Sequence, residues 1–91
     1  MELILKEYGK IDITNATLVD GGDIWIEVAD NFDGIAKTTG YEITNAYLTN
    51  TEYGWGFVAL LDTPETDWFE EDAVVFDVKN QEDIYKLNAL L

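Results

Sequence analysis

Residues 11–29, IDITNATLVDGGDIWIEVA, lie over residues 41–59, YEITNAYLTNTEYGWGFVA, without a gap. Ile13, Thr14, Asn15, Ala16, Leu18, Trp25, Val28 and Ala29 recur as Ile43, Thr44, Asn45, Ala46, Leu48, Trp55, Val58 and Ala59, and Asp12 matches Glu42 in charge. Each copy reads as a strand, a polar or glycine-containing turn (Asp20-Gly21-Gly22-Asp23, then Asn50-Thr51-Glu52) and a second strand that carries tryptophan. That is the pattern of a β-hairpin. Two copies fall short of the roughly three or more repeats a solenoid needs. The expectation is therefore a duplicated hairpin, 11–29 and 41–59, within one sheet, with Trp25 and Trp55 both buried.

The first strand of each copy contains a break in phase. Ile11 and Ile13 share one face, whereas an uninterrupted period of two puts Leu18 on the other. A bulge at Asn15-Ala16, and equally at Asn45-Ala46, returns Leu18 and Leu48 to the core side. The two asparagines then serve irregular backbone rather than a ligand.

Around the repeat, Leu3 to Tyr8 reads as an opening strand that ends at Gly9-Lys10, and Ala73 to Val78 as a β-branched late strand. Asp30-Asn31-Phe32-Asp33-Gly34 and Thr38-Thr39-Gly40 have loop composition. Thr63-Pro64-Glu65-Thr66 reads as a capped helical turn with proline at its first position, a short helical segment near 64–70. The chain closes on a helix: Asn80 suits an N-cap, Gln81-Glu82-Asp83 puts acids at the positive end of the dipole, and Ile84, Leu87, Leu90 and Leu91 form an apolar stripe. The fold class that follows is α+β, a single domain over 1–91: an antiparallel sheet of about six strands with a C-terminal helix packed on it.

Composition decides which functions remain. Nineteen Asp and Glu face five Lys, with no His, for a net charge of -14, and the sequence contains no Arg, Ser or Cys. A disordered acidic tail lacks apolar residues, yet this chain is 47% hydrophobic and 13% aromatic. The charge is expected on a folded surface. Direct binding to nucleic acid or to an anionic membrane is disfavoured by that charge. Without cysteine there is no disulfide framework, thiolate nucleophile or Cys-based zinc site. Lacking Ser, Cys, His and Arg, the chain also loses most nucleophile, base and oxyanion arrangements. Paired carboxylates at about 5–9.5 Å can cleave glycosides, but with so many acids such a spacing arises by chance. No glycine pattern fits a phosphate loop, and Asp30 to Gly34 does not follow the EF-hand series. The expectation is a non-enzymatic protein with no cofactor and no metal. The N-terminal residues do not form a secretory signal, and no run approaches the roughly 18 apolar residues of a membrane span. The expected compartment is cytoplasmic, the host cell cytoplasm for a phage-encoded chain.

The segment from Asp62 to Asp72 concentrates the candidate chemistry. Asp62, Glu65, Asp67, Glu70, Glu71 and Asp72 surround the adjacent aromatics Trp68 and Phe69, and no cation lies between Lys37 and Lys79. Charge runs are usually solvated faces, but solubility of a small domain needs a net charge of only about 2–8. The surplus points to a cationic partner. Asp62, Glu65, Asp67, Trp68, Phe69, Glu70, Glu71 and Asp72 are the candidate partner-binding residues, with the turn acids Asp20, Asp23, Asp30, Asp33 and Glu52 as a secondary set. A domain of this size is roughly 30 Å wide, over which duplex DNA carries on the order of 18 charges. The net charge of the chain is comparable.

In size, acidity, absence of cysteine and antiparallel β content, the chain resembles the small acidic inhibitors of phages and mobile elements that imitate DNA, such as anti-CRISPR and anti-restriction proteins and the uracil-DNA glycosylase inhibitor. The likeness is one of overall character, so no residue roles pass from that group. It implies a stoichiometric blocker, monomeric or dimeric, of a basic nucleic-acid-binding protein such as a CRISPR effector or restriction enzyme. Two other readings remain open at this point. An immunity protein or antitoxin would cap a basic nuclease through Trp68, Phe69 or Tyr53, and a structural or assembly module would pair sheet edges.

Overall fold

A computed structural model describes residues 1–63 and 72–91. The elements in chain order are β1 (Glu2–Leu5), β2 (Gly9–Leu18), β3 (Ile24–Val28), α1 (Asp33–Thr39), β4 (Glu42–Thr51), β5 (Gly54–Asp62), β6 (Asp72–Asp77) and α2 (Gln81–Leu90). All six strands are antiparallel, and each pairs with the next in sequence. This is an α+β architecture built on a meander. The short helical segment expected near 64–70 lies outside the described residues.

The sheet curls until its ends meet. Lys6 N–H donates to the Asp77 carbonyl at 2.8 Å and Lys79 N–H to the Ile4 carbonyl at 2.7 Å, on either side of an antiparallel bridge between Leu5 and Val78. Two side-chain amides extend this seam. Asn80 Oδ1 accepts from Ile4 N–H at 2.8 Å while its Nδ2 donates to the Glu2 carbonyl at 2.9 Å. Gln81 does the same for β5: its Oε1 accepts from Trp55 N–H at 2.8 Å and its Nε2 donates to the Trp55 and Val78 carbonyls. Asn80 does stand at the N-cap position of α2, but its side chain makes no cap bond to the helix backbone. It stands in for a strand instead, satisfying backbone groups that β1 would otherwise leave open.

The concave side holds one hydrophobic cluster. Leu3, Leu5, Ile11, Ile13, Ile24, Ile26, Val28, Ala46, Leu48, Phe57 and Ala59 come from the strands, with Ile35 from α1 and Ile84 from α2. Among the described residues no polar or charged residue is buried. Helix α2 meets the core through Ile84, which is fully enclosed, and Leu87, which is half-buried against it. The expected apolar stripe stops there: Leu90 is 84% exposed and Leu91 is also exposed, because the last turn of the helix has run past the core residues it could cover.

Each first strand carries a bulge, which leaves out Thr14 in one and Thr44 in the other, immediately before the expected Asn15-Ala16 and Asn45-Ala46. Pairing shifts between Ile13 and Asn15 in β2 and between Ile43 and Asn45 in β4. Leu48 is completely buried as a result, opposite Phe57. Leu18 also reaches the core side, opposite the buried Ile24, but remains 46% exposed at the rim where β2 outruns β1.

The likeness of the two hairpins does not extend to their second strands. Leu18 pairs with Ile24, whereas Leu48 pairs with Phe57, whose counterpart in the first copy is Glu27. The offset is three residues, and an odd offset turns every side chain to the opposite face. Ile24, Ile26 and Val28 therefore point inward in β3, while Trp55, Phe57 and Ala59 point inward in β5. Trp55 is buried, and Trp25 lies half-buried on the outer face against the ring of Tyr47, with centroids 5.3 Å apart. Loop length sets the difference: five residues join β2 to β3, while only Glu52 and Tyr53 join β4 to β5, so Asn50 and Thr51 are strand residues rather than turn residues.

The stretch read as loop between β3 and β4 contains helix α1. Asp30 organises its start, accepting from Phe32 N–H at 3.1 Å and Gly34 N–H at 3.0 Å. The chain passes through Asn31 and Phe32 with positive φ, a conformation that turn composition signals but helix propensity does not. Burial of Phe32 and Ile35 then holds the helix against β4. At Gly34 a Cβ would collide with the Tyr8 hydroxyl, so a larger residue there requires the Tyr8 side chain to move.

Candidate partner-binding surface

The register of β4 and β5 builds the most charged end of the sheet. Glu42 lies directly opposite Asp62, a like-charge pair across neighbouring strands, which costs stability where an opposite-charge or apolar pair would add to it. Asp72 opens β6 opposite Leu61, and its Oδ2 accepts from Thr63 Oγ1 at 2.8 Å. Asp33 shares a small cleft with Glu42, and Asp30 sits at the approach to α1. Two of the secondary acids, Asp30 and Asp33, are thus at the same end as Asp62 and Asp72. Asp20, Asp23 and Glu52 occupy the β2–β3 and β4–β5 turns. Asp23 borders a cleft with Thr49 and Asn50, near the end of β4. Glu65, Asp67, Trp68, Phe69, Glu70 and Glu71 lie outside the described residues.

Glu42 belongs with the primary group, although no local motif distinguishes it. Only the cross-strand pairing with Asp62 brings it there. Conversely, the Asp30 carboxylate is occupied by backbone N–H groups, which makes its first role structural. It also bears on Tyr8, whose hydroxyl is held above its ordinary pKa by burial and then by the Asp30 charge.

Fifteen of the nineteen acids fall within the described residues, and none of them is buried. Among those residues no lysine forms an ion pair, and the sole pair joins the Met1 ammonium to Asp12 at 3.6 Å. The negative charge is therefore left uncompensated on a scaffold measuring 37 × 26 × 23 Å. Screening should stabilise such a surface. Taking the protein from about 0.01 M to 0.1 M salt shortens the Debye length from roughly 30 to 10 Å. If that relieves about 1 kcal/mol of repulsion, Tm rises by about 4–8 °C, measurable by circular dichroism. A Tm that falls with salt would mean the carboxylates are not in net repulsion.

Aromatic exposure is uneven. Tyr53 is 92% exposed at the tip of the β4–β5 turn, remote in sequence from the acidic 62–72 segment. Among the described residues no group of three or more His, Cys, Asp or Glu is arranged to hold a metal ion, and no helix is long and apolar enough to cross a membrane. No family model, curated protein or solved structure matches this chain. Its surface chemistry has to be read from its own residues.

Proposed function

We propose that this protein is a non-enzymatic acidic inhibitor that occupies the positively charged nucleic-acid-binding surface of a host defence protein, in the manner of a DNA mimic. The observation that carries the reading is the uncompensated charge: described carboxylates all at the surface, no lysine paired with any of them, and Glu42 set against Asp62 where a neutral or cationic residue would be more stable. A long axis of 37 Å corresponds to a length of duplex DNA carrying on the order of 22 charges. Association with a basic groove would be fast, electrostatically steered and sensitive to salt. Asp62, Asp72 and Glu42 anchor the contact, with Glu65, Asp67, Glu70, Glu71 and the aromatics Trp68 and Phe69 between them in sequence. A basic nucleic-acid-binding partner such as a CRISPR effector or a restriction enzyme fits this requirement.

Affinity capture from a bacterial lysate at low salt, followed by elution with duplex DNA or with high salt, tests the reading. A basic nucleic-acid enzyme released by both is the expected result, and neutral or acidic companions that neither releases would end the proposal. Substitution sharpens the test. Asp62→Lys should raise Tm slightly, by turning repulsion with Glu42 into attraction worth about 0.2–1 kcal/mol, yet weaken capture. Joint replacement of Glu70, Glu71 and Asp72 by Lys should abolish it. Retained capture by the triple variant would remove that cluster from the site.

A further inference from the structure

Among the described residues, no strand lies beside the last strand of the sheet, on its side away from β5, along most of its length. Residues in a strand alternate in the side to which their N–H and C=O groups point. The Asp77 carbonyl and the Lys79 N–H are taken by β1, so those residues face the seam. The pairing of β6 with β5 runs from Leu61 opposite Asp72 to Gly56 opposite Asp77 without a shift. Val75 and Ala73 therefore face the same way as Asp77. At that level β1 has ended at Leu5 and the chain turns back through Lys6 to Tyr8. The N–H and C=O groups of Ala73 and Val75 consequently point outward, with no strand beside them among the described residues.

The side chains agree with the backbone. On the outer face, cross-strand neighbours Trp25, Tyr47, Val58 and Val75 form one apolar row running from β3 to β6. Three of the four are buried or half-buried, whereas Val75 at the end of the row is 61% exposed. The row stops where the sheet stops. Asp72 and Asp77, both exposed, close the two ends of the open segment.

We infer that the Ala73–Val75 edge of β6 receives an extended, lysine- or arginine-bearing segment of a partner protein as a seventh strand. Such strand addition draws affinity from main-chain hydrogen bonds and selectivity from alternate side chains. An apolar residue placed beside Val75 would lengthen the row, and cations beyond it would meet Asp72 and Asp77. A second copy of this chain is the less suitable occupant: pairing β6 with itself through its outward groups, Val75 on Val75, sets Asp77 opposite Ala73 and next to Asp72 of the other copy, between molecules that each carry -14. The charge assigned to the occupant rests on the acidic-surface reading above; the open edge does not.

The test uses the short peptide Lys-Thr-Val-Thr-Val-Lys at low salt, whose period sets a valine beside Val75 and lysines beside Asp77 and Asp72. Amide exchange at Ala73 and Val75 should slow when the peptide is added. Val75→Pro removes an outward N–H, a change that an edge strand tolerates, and should weaken binding at least tenfold with Tm nearly retained, while Val75→Thr binds as the parent does. If the peptide binds the parent with unchanged exchange at Ala73 and Val75, the edge inference is overturned, whether or not Val75→Pro folds. Salt-sensitive binding that Val75→Pro leaves intact overturns the edge and keeps the acidic surface. No binding at low salt to either protein removes both. Protection of these amides that grows with protein concentration alone would replace the partner with a second copy.

Discussion

Trp55→Ala should destabilise the protein by about 3–5 kcal/mol, the range for truncating a large aromatic in a packed core, and Trp25→Ala by only about 1–2 kcal/mol. The two residues occupy matching positions in the 30-residue repeat, yet Trp55 is 4% exposed within the core cluster while Trp25 rests on the outer face beside Tyr47. What Trp25 loses is partial burial and one aromatic contact, itself worth about 0.5–1.5 kcal/mol. Urea unfolding of the two variants under identical conditions measures the difference. Equal costs would mean that β3 and β5 share a phase after all. Trp55→Phe should be far milder than Trp55→Ala: the ring is kept, and the indole N–H, which is buried without a hydrogen-bond partner, is removed.

Gln81→Ala should cost about 2–4 kcal/mol although Gln81 is neither apolar nor fully buried. Its amide bonds both backbone groups of Trp55 and the carbonyl of Val78, and truncation leaves partly buried donors and acceptors unpaired at about 1–3 kcal/mol each where water cannot reach them. Asn80→Ala should act in the same direction by freeing Ile4 N–H and the Glu2 carbonyl. The signature separating this role from helix capping is its location. Amide exchange should accelerate at Ile4 and Trp55, in strands distant in sequence, rather than in the first turn of α2. Acceleration confined to α2 would reduce both residues to caps.

Much of the meander was legible because its cues are local. The β-branched and aromatic runs around β3, β5 and β6, the glycine-containing turn after Leu18, and the apolar spacing of Ile84 and Leu87 each specify an element within a few residues. The asparagine bulges were legible for a subtler reason: a strand whose apolar residues change phase must either bury a polar face or insert a residue. Helix α1 was not legible, since Asp30, Asn31 and Gly34 carry turn chemistry and the helix is held by burial of Phe32 and Ile35 in the core cluster that the strands assemble. The acidic end of the sheet was readable as a composition but not as a place, because only the register of β4 on β5 sets Glu42 opposite Asp62, 20 positions away.

The sequence by itself determined that this chain folds around apolar strands, where the bulges lie, and that it carries a charge of -14 with too few lysines to offset it. Tertiary structure alone decided which tryptophan is buried, how the amides of Asn80 and Gln81 close the seam, and that no strand among the described residues covers the outer side of β6 at Ala73 and Val75. The physical reason is that a strand's face and an edge's vacancy depend on register with a partner strand, and register is settled by loop length and long-range packing rather than by the residues of the strand itself.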